Sequence, residues 1–316
     1  MKIKIRKILP WIGIAIFIIL LFRLNISSII NEIKNSNLFF LLVAVLFMLI
    51  TLFTQTFKWF VIARVQRIEV PYLKAFVINL ISDFYGFITP SRIGNIIRAD
   101  YLKEYNKNKL GGGVSNYILD KILDICSLVF LAMIFSFIFR NWISINYFYY
   151  AVVLMGFLIA GLVIIRDEKK MRFFFGIFYR KLVPEKIKSK IKGGVSSFYE
   201  NMPKKRYFIL FFVVNLLNWV VIYLPTYFIG LSLGINLPFI YYLAILPVAT
   251  LVAQIPITIS GLGTREATMI GLFGIFGIEA TKVFSMSIIG IFIGLIPLLI
   301  GSFLIFKNTP KPNGKG

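Results

Sequence analysis

Ser260-Gly261-Leu262-Gly263-Thr264-Arg265-Glu266 stands between two apolar stretches near the end of the chain, and Thr89-Pro90-Ser91-Arg92-Ile93-Gly94-Asn95 does the same earlier. Each is a helix-breaking, ion-bearing interruption in sequence that otherwise reads as membrane-embedded. Two interrupted hydrophobic segments, one in each half of a chain, point to a transport-type binding site built from broken helices. An arginine or carboxylate at membrane depth costs about 2.5–3.5 kcal/mol on insertion scales, so such residues are functional candidates by default.

The surrounding composition supports the membrane reading. The chain has 316 residues, 59% of them hydrophobic, and its mean hydropathy is +0.85. Long apolar runs of this kind predict transmembrane helices, and they and their short loops leave no room for a soluble catalytic domain. Histidine is absent and Cys126 is the single cysteine. These counts exclude an intrachain disulfide, give no metal-ligand cluster and remove the commonest general base, so neither an enzyme nor a bound cofactor is expected. The formal charge of +22 would suggest nucleic acid in a soluble protein. Here the basic residues sit in loops, where the positive-inside rule and anionic lipid account for them, and nucleic acid is not expected as a partner. Lys2, Lys4, Arg6 and Lys7 precede the first apolar run, which is read as a first helix rather than a signal peptide.

Apolar segments fall at roughly 8–22, 38–57, 75–90, 114–139, 147–165, 207–229, 239–257, 267–278 and 283–306. Lys and Arg are abundant before residue 8 and in 58–74, 98–113, 166–206 and the tail from Lys307; they are sparse in 23–37, 140–146, 230–238 and 279–282. Placing the rich loops in the cytoplasm puts both termini there. Segment 75–97 then begins and ends on the cytoplasmic side, as a re-entrant hairpin. Segment 239–278 begins and ends outside, either as a second hairpin or as two complete crossings. The expected fold is an all-α polytopic membrane protein, an inverted-repeat helical bundle with two broken or re-entrant hairpins. It forms a single domain over 1–316, with pseudo-halves of about 1–140 and 141–306, a basic cytoplasmic loop at 166–206 and a disordered tail at 307–316. The basic loop alternates aromatics with cations and is expected to lie on the anionic leaflet.

At the first interruption, Pro90 biases Thr89 away from helical geometry, and Ser91 is expected to cap a helix starting at Arg92. At the second, Pro256 ends a helix, Gly261 and Gly263 permit a sharp turn, and Thr264 is expected to cap a helix beginning at Arg265. Helix N-termini with an adjacent arginine suit a phosphate, so Arg92 and Arg265 are the leading candidates for holding an anionic headgroup. Against this stands a purely structural role, with Arg92–Glu266 and Arg265–Asp83 as conceivable ion pairs. Glu266 is also a candidate ion or proton relay. Asp83, with Asn79 and Ser82, is a candidate cavity residue. Asp120 and Asp124 share a helix face that could turn to the interior; equally, Asp120-Lys121 could mark an interfacial helix end with Lys121 snorkelling. Asn215, Asn218 and Gln254 read as helix-packing hydrogen-bonders. Gly111-Gly112-Gly113 lacks the sequel of a nucleotide loop and reads as a hinge.

Across essentially its whole length the chain resembles the membrane region of the lysylphosphatidylglycerol synthase and glycosyltransferase-associated flippase family. The resemblance rests on Thr89-Pro90-Ser91-Arg92-Ile93-Gly94, on Leu119-Asp120-Lys121, similar to the family's Leu-Asp-Arg, and on Ser260 to Ala267. Asn95 stands where many members carry Glu, and Lys121 replaces Arg. The resemblance implies movement of a polar lipid between leaflets: a phospholipid or a polyprenyl- or dolichyl-linked sugar. It also implies a glycosyltransferase as a candidate partner, and no aminoacyl transfer by this chain alone. The high Ile, Lys and Phe usage fits a prokaryote, so the plasma membrane of a prokaryote is the expected location. A small-solute or ion transporter and a non-catalytic accessory subunit remain as alternatives. The sequence leaves homo-oligomerisation open.

Overall fold

The computed structural model describes residues 2–107, 109–142, 145–171, 173, 196–200, 202–255, 258 and 261–308. Among these residues the chain is all-helical. In order come α1 (Lys2–Arg23), α2 (Ile26–Lys34), α3 (Leu38–Val65), α4 (Tyr72–Phe87), a 3-10 run (Pro90–Ile96), α5 (Ile97–Leu102), α6 (Leu110–Ile138), α7 (Asn146–Arg166), α8 (Tyr207–Ser232), α9 (Phe239–Gln254), α10 (Thr264–Gly274) and α11 (Ala280–Asn308). Most of the basic loop and the tail beyond Asn308 lie outside the described residues.

Helices α3, α6, α7, α8 and α11 are long and apolar enough to cross a bilayer, and α1 with α2 would make a sixth span. The last pair is bent by 80°. The bend falls at Asn25, whose φ of 59° is left-handed and whose side-chain oxygen accepts a hydrogen bond from Ser27 N at 3.0 Å; asparagine tolerates that conformation better than most residues. A loop was expected here, and an amphipathic helix fills it instead. On α3, Leu38, Leu42, Leu46, Leu49, Phe53 and Phe57 are all exposed. Their spacing of three and four residues makes one apolar stripe, which lipid would cover. The apolar span of α7 packs on α6 along one side and has none of its residues fully buried, so lipid would cover the rest of its surface.

The remaining apolar helices are too short to span. At about 1.5 Å per residue, the 16 residues of α9 reach about 24 Å and the 11 residues of α10 about 16 Å, against a hydrocarbon core of about 30 Å. Helices α9 and α10 pack against each other, so 239–278 is a broken hairpin and not two crossings. Helix α4 with the 3-10 run forms the other one.

The chain divides into two compact units, Met1–Thr56 with Leu73–Ile97 and Val220–Gly316, and Phe57–Tyr72 with Arg98–Trp219. In the first unit, Met48 and Leu52 of α3, Leu80 of α4, and Ile293 and Leu304 of α11 pack into one cluster. A Cβ at Gly301 of α11 would come within 2.3 Å of the Leu80 carbonyl oxygen, so α4 and α11 touch backbone to backbone there. In the second unit, Ile62 of α3, Leu119 and Leu123 of α6 and Phe211 of α8 form the core.

Candidate functional site

Both interruptions belong to the first unit. Thr89 is extended (φ −115°, ψ 143°) and Pro90 opens the 3-10 run, where its missing N–H costs nothing. The turn therefore begins before Arg92, and Ser91 lies inside it; its side chain is outside the described ones. Thr89 does the tying that was expected of Ser91. Its hydroxyl donates to the Tyr85 carbonyl at 2.9 Å and accepts from Gly94 N at 2.7 Å. The 3-10 run is drawn so close that a Cβ on Gly94 would sit 2.1 Å from the Tyr85 carbonyl oxygen. Ser82 Oγ donates to the Asn95 carbonyl at 3.1 Å, and Asp83 accepts from Asn79 Nδ2 at 3.1 Å and Asn95 Nδ2 at 3.4 Å. Arg92, at the tip, is exposed with φ 54°, a left-handed conformation that a long side chain adopts only under local constraint. The same run packs against α9, so the first break lies against an arm of the second hairpin.

The second break is a glycine-built turn. Gly261 and Gly263 have φ of 80° and 83°, conformations open to glycine at little cost. Both positions are also crowded: a Cβ at Gly261 would meet Ala253 Cβ at 2.3 Å, and one at Gly263 would meet the Gly13 carbonyl oxygen of α1 at 2.1 Å. Helix α10 starts at Thr264, so Thr264 is its first residue and not its cap. Its hydroxyl donates to the Gly261 carbonyl at 3.1 Å. The capping group is Glu266, which is 2% exposed. One carboxylate oxygen accepts from Gly263 N at 2.5 Å and the other from Ser287 Oγ at 2.7 Å, the third-residue half of a capping box.

These bonds settle where the carboxylates go. Glu266 is taken by Gly263 and Ser287, and Asp83 holds Asn79 and Asn95, so neither of the conceived pairs, Arg92–Glu266 or Arg265–Asp83, forms. The Gly263 amide is used by Glu266, and the Arg265 amide donates to the Gly261 carbonyl at 2.8 Å. An anion at this turn would therefore meet the guanidinium before the helix end. Arg265 is half-buried, and among the described residues neither its side chain nor that of Arg92 makes an ion pair or hydrogen bond.

The second unit contains a charge cluster that the sequence only half disclosed. Asp120 and Asp124 of α6 turn inward and are 4% and 6% exposed, as buried as Lys58 (7%) and Arg98 (4%). Lys58 Nζ lies 3.1 Å from Asp120 Oδ1 and pairs with Asp124 Oδ1. Arg98 Nη2 donates to Asp120 Oδ2 at 2.9 Å, and its guanidinium lies over the Trp59 ring, 4.7 Å from the centroid. Asn215 Oδ1 of α8 is 3.4 Å from Lys58 Nζ. Two cations and two carboxylates make the cluster neutral, the condition for burying charge at this depth. Lys121 is half-buried. Asn116 donates to the Trp59 carbonyl and Gln66 Oε1, and Gln66 donates to Ser115 Oγ.

Lys58 was counted with the loop charges, yet α3 continues through Trp59-Phe60-Val61-Ile62-Ala63. That apolar continuation was the available signal. Arg98 gave none, because its partner is 22 residues away. Gly111–Gly113, read from the sequence as a hinge, lies inside a helix. It forms the first turn of α6, where a Cβ at Gly113 would meet the Ala99 carbonyl oxygen at 2.6 Å. The bare backbone lets α5 press against α6 and deliver Arg98. Among the described residues no group of His, Cys, Asp and Glu is placed to hold a metal ion.

The chain matches the family described as Lysylphosphatidylglycerol synthase TM region over residues 11–301. It is similar to a UPF0104 membrane protein of Pyrococcus horikoshii, at 26% identity over 94% of this chain and 95% of the relative. A UPF0104 membrane protein of Methanothermobacter thermautotrophicus is 24% identical over 93% and 91%, and one of Methanocaldococcus jannaschii is 22% identical over the full length of both. With the match running from α1 to Gly301 of α11 and taking in both broken hairpins, this helical membrane protein belongs to the lysylphosphatidylglycerol synthase TM-region family.

Proposed function

We propose that the chain is a lipid flippase, moving a lipid with an anionic or sugar-phosphate headgroup between leaflets. The observation that carries this reading is the pair Arg92 and Arg265, two guanidiniums at helix breaks without a carboxylate partner among the described residues. Arg265 is the second residue of α10, where the helix dipole opposes a cation. Arg92 is held in a left-handed turn. A cation in such a place is stabilised by an anion from elsewhere, and a phosphate suits the planar fork of arginine through two parallel hydrogen bonds. The protein would then be a non-catalytic transporter of the plasma membrane with cytoplasmic termini, the headgroup passing the breaks while the acyl or prenyl tails stay in the bilayer. Ser91, Gly261, Gly263, Thr264 and Asp83 would shape the path around the two arginines, and Asn95 and Glu266 would hold its frame.

The test is a leaflet-accessibility assay with purified protein in liposomes carrying a fluorescent phospholipid or prenyl-phosphate sugar, quenched from outside by dithionite. Wild type is expected to expose more than the outer-leaflet half of the probe, Arg265→Ala to lose that exposure, and Arg265→Lys to recover part of it. Equal flux in Arg265→Ala overturns the assigned role. No flux with any lipid from folded wild type transfers the assignment to a small-solute transporter or an accessory subunit.

A further inference from the structure

We infer that the second unit holds a hydrated proton path, with Asp124 as the group that takes up and releases the proton. The inference does not depend on the lipid reading; it starts from polar atoms left over beyond the ion cluster. Asn116, Asp120, Asp124 and Ser127 recur at intervals of four, four and three along α6, so they share one face. All four are buried. Helix α8 meets α6 here: Phe211 shares a core cluster with Leu119 and Leu123, and Asn215, one turn further along α8, reaches the Lys58 that Asp124 holds. One more turn along each helix come Ser127 and Asn218.

Ser127 is fully buried and Asn218 is 3% exposed, yet Ser127 Oγ and both side-chain polar atoms of Asn218 have no hydrogen-bond partner among the described residues. Lipid cannot satisfy them. A hydroxyl and an amide left in this way beside an ion cluster are the usual hosts of buried water. The polar file from Ser115 to Ser127 covers about 18 Å of α6 at the helical rise, more than half of the hydrocarbon thickness.

The two carboxylates are not equivalent. Asp120 is held by both Lys58 and Arg98, whereas Asp124 has only its share of Lys58. Around Asp124 stand Lys58 from α3 and Tyr117, Asp120 and Lys121 on its own helix, with the neutral Asn215 of α8 against Lys58; Arg98 of α5 acts through Asp120. Helix α7, packed on α6, offers only apolar residues from Ala151 to Ile165. When a hydronium in the file gives its proton to the Asp124 carboxylate, a water remains and a neutral carboxylic acid forms. Lys58 keeps its three protons and stays with Asp120, so the cluster passes from neutral to a single positive charge. Return of the proton to water restores it.

The experiment uses the full chain in liposomes loaded with a pH-sensitive dye, with proton entry driven by a valinomycin–potassium potential and no lipid probe. Wild type is expected to acidify the lumen several-fold faster than protein-free liposomes, Asp124→Asn to fall to the protein-free rate, and Ser127→Val and Asn218→Leu to slow entry while keeping Cys126 shielded from maleimide. Wild-type entry no faster than in protein-free liposomes, or an unchanged rate in Asp124→Asn, overturns the inference. Should Asp124→Asn not fold, unchanged rates in both Ser127→Val and Asn218→Leu overturn it equally. Lipid flux without proton entry rejects this inference alone, and proton entry without lipid flux rejects only the flippase reading.

Discussion

Replacing Lys58 by methionine should be among the most damaging single changes in the chain, and a second change should repair it. Lys58 touches both carboxylates of the buried cluster. Methionine fills a similar volume but leaves Arg98 to balance Asp120 and Asp124, one uncompensated negative charge among residues less than a tenth exposed. Breaking a buried pair by removing one partner costs about 3–5 kcal/mol, whereas removing both and packing the space is near neutral. In the double variant Lys58→Met with Asp124→Leu, the Arg98–Asp120 pair at 2.9 Å survives and neutrality returns. The coupling between the two sites should therefore be about 3 kcal/mol or more.

The chain carries its own reporter. Cys126, the only cysteine, is 5% exposed and lies two residues from Asp124, so a fluorogenic maleimide labels it as this region opens. At roughly 2–4 °C per kcal/mol for a chain of this order of size, Lys58→Met should lower the labelling midpoint by roughly 6–20 °C, with most of the loss restored in the double variant. A single variant that melts with wild type, or a double variant less stable than the single, would refute the reasoning.

Two further outcomes follow from the second break and a third from the packing of α5 on α6. Gly263→Ala places a Cβ 2.1 Å from the Gly13 carbonyl oxygen at a φ of 83°; it should cost upwards of about 1–2 kcal/mol, read as a lower thermal midpoint, while Ala at Gly271, with open space around it, should leave that midpoint at or above the wild-type value. Glu266→Ala removes the acceptor of both Gly263 N and Ser287 Oγ and should destabilise by about 1–3 kcal/mol, more than Ser287→Ala, which spares the cap; equal effects would deny Glu266 its capping role. Gly113→Val should separate α5 from α6 and weaken the Arg98–Asp120 pair, so that adding Asp120→Asn to it costs less than Asp120→Asn alone in the same labelling assay.

What was legible in the sequence was whatever announces itself locally. Proline, paired glycines and charges inside apolar runs marked both breaks, and the spans stood out because hydropathy accumulates over some twenty residues. Cap assignments slipped by two positions at the first break, from Ser91 to Thr89, and by one at the second, from Thr264 to Gly263. The sequence offers Ser91 and Thr264 as hydroxyl caps, but Pro90 already suits the first position of a turn, and Gly263 can take the left-handed geometry that lets Glu266 reach back. The bend at Asn25 was hidden for a similar reason, since one residue's φ reorients a helix without altering the apolar pattern.

The cluster around Asp120 shows where local reading stops. Arg92, Arg98 and Arg265 look alike in sequence, each a guanidinium beside a break or a span. What separates them is where carboxylates arrive from. Arg98 is met by Asp120, 22 residues on, because three glycines bring α5 against α6, and it is roofed by Trp59 from α3. Asp83 and Glu266, which could have neutralised the other two, are occupied by Asn79 and Asn95 and by Gly263 and Ser287. A buried cation costs too much to leave unpaired, so the chain's own acids balance Arg98 and hold it rigid. Arg92 and Arg265, exposed and half-buried, can stand open, and on the proposed lipid reading a headgroup phosphate would supply the charge that no carboxylate among the described residues brings there.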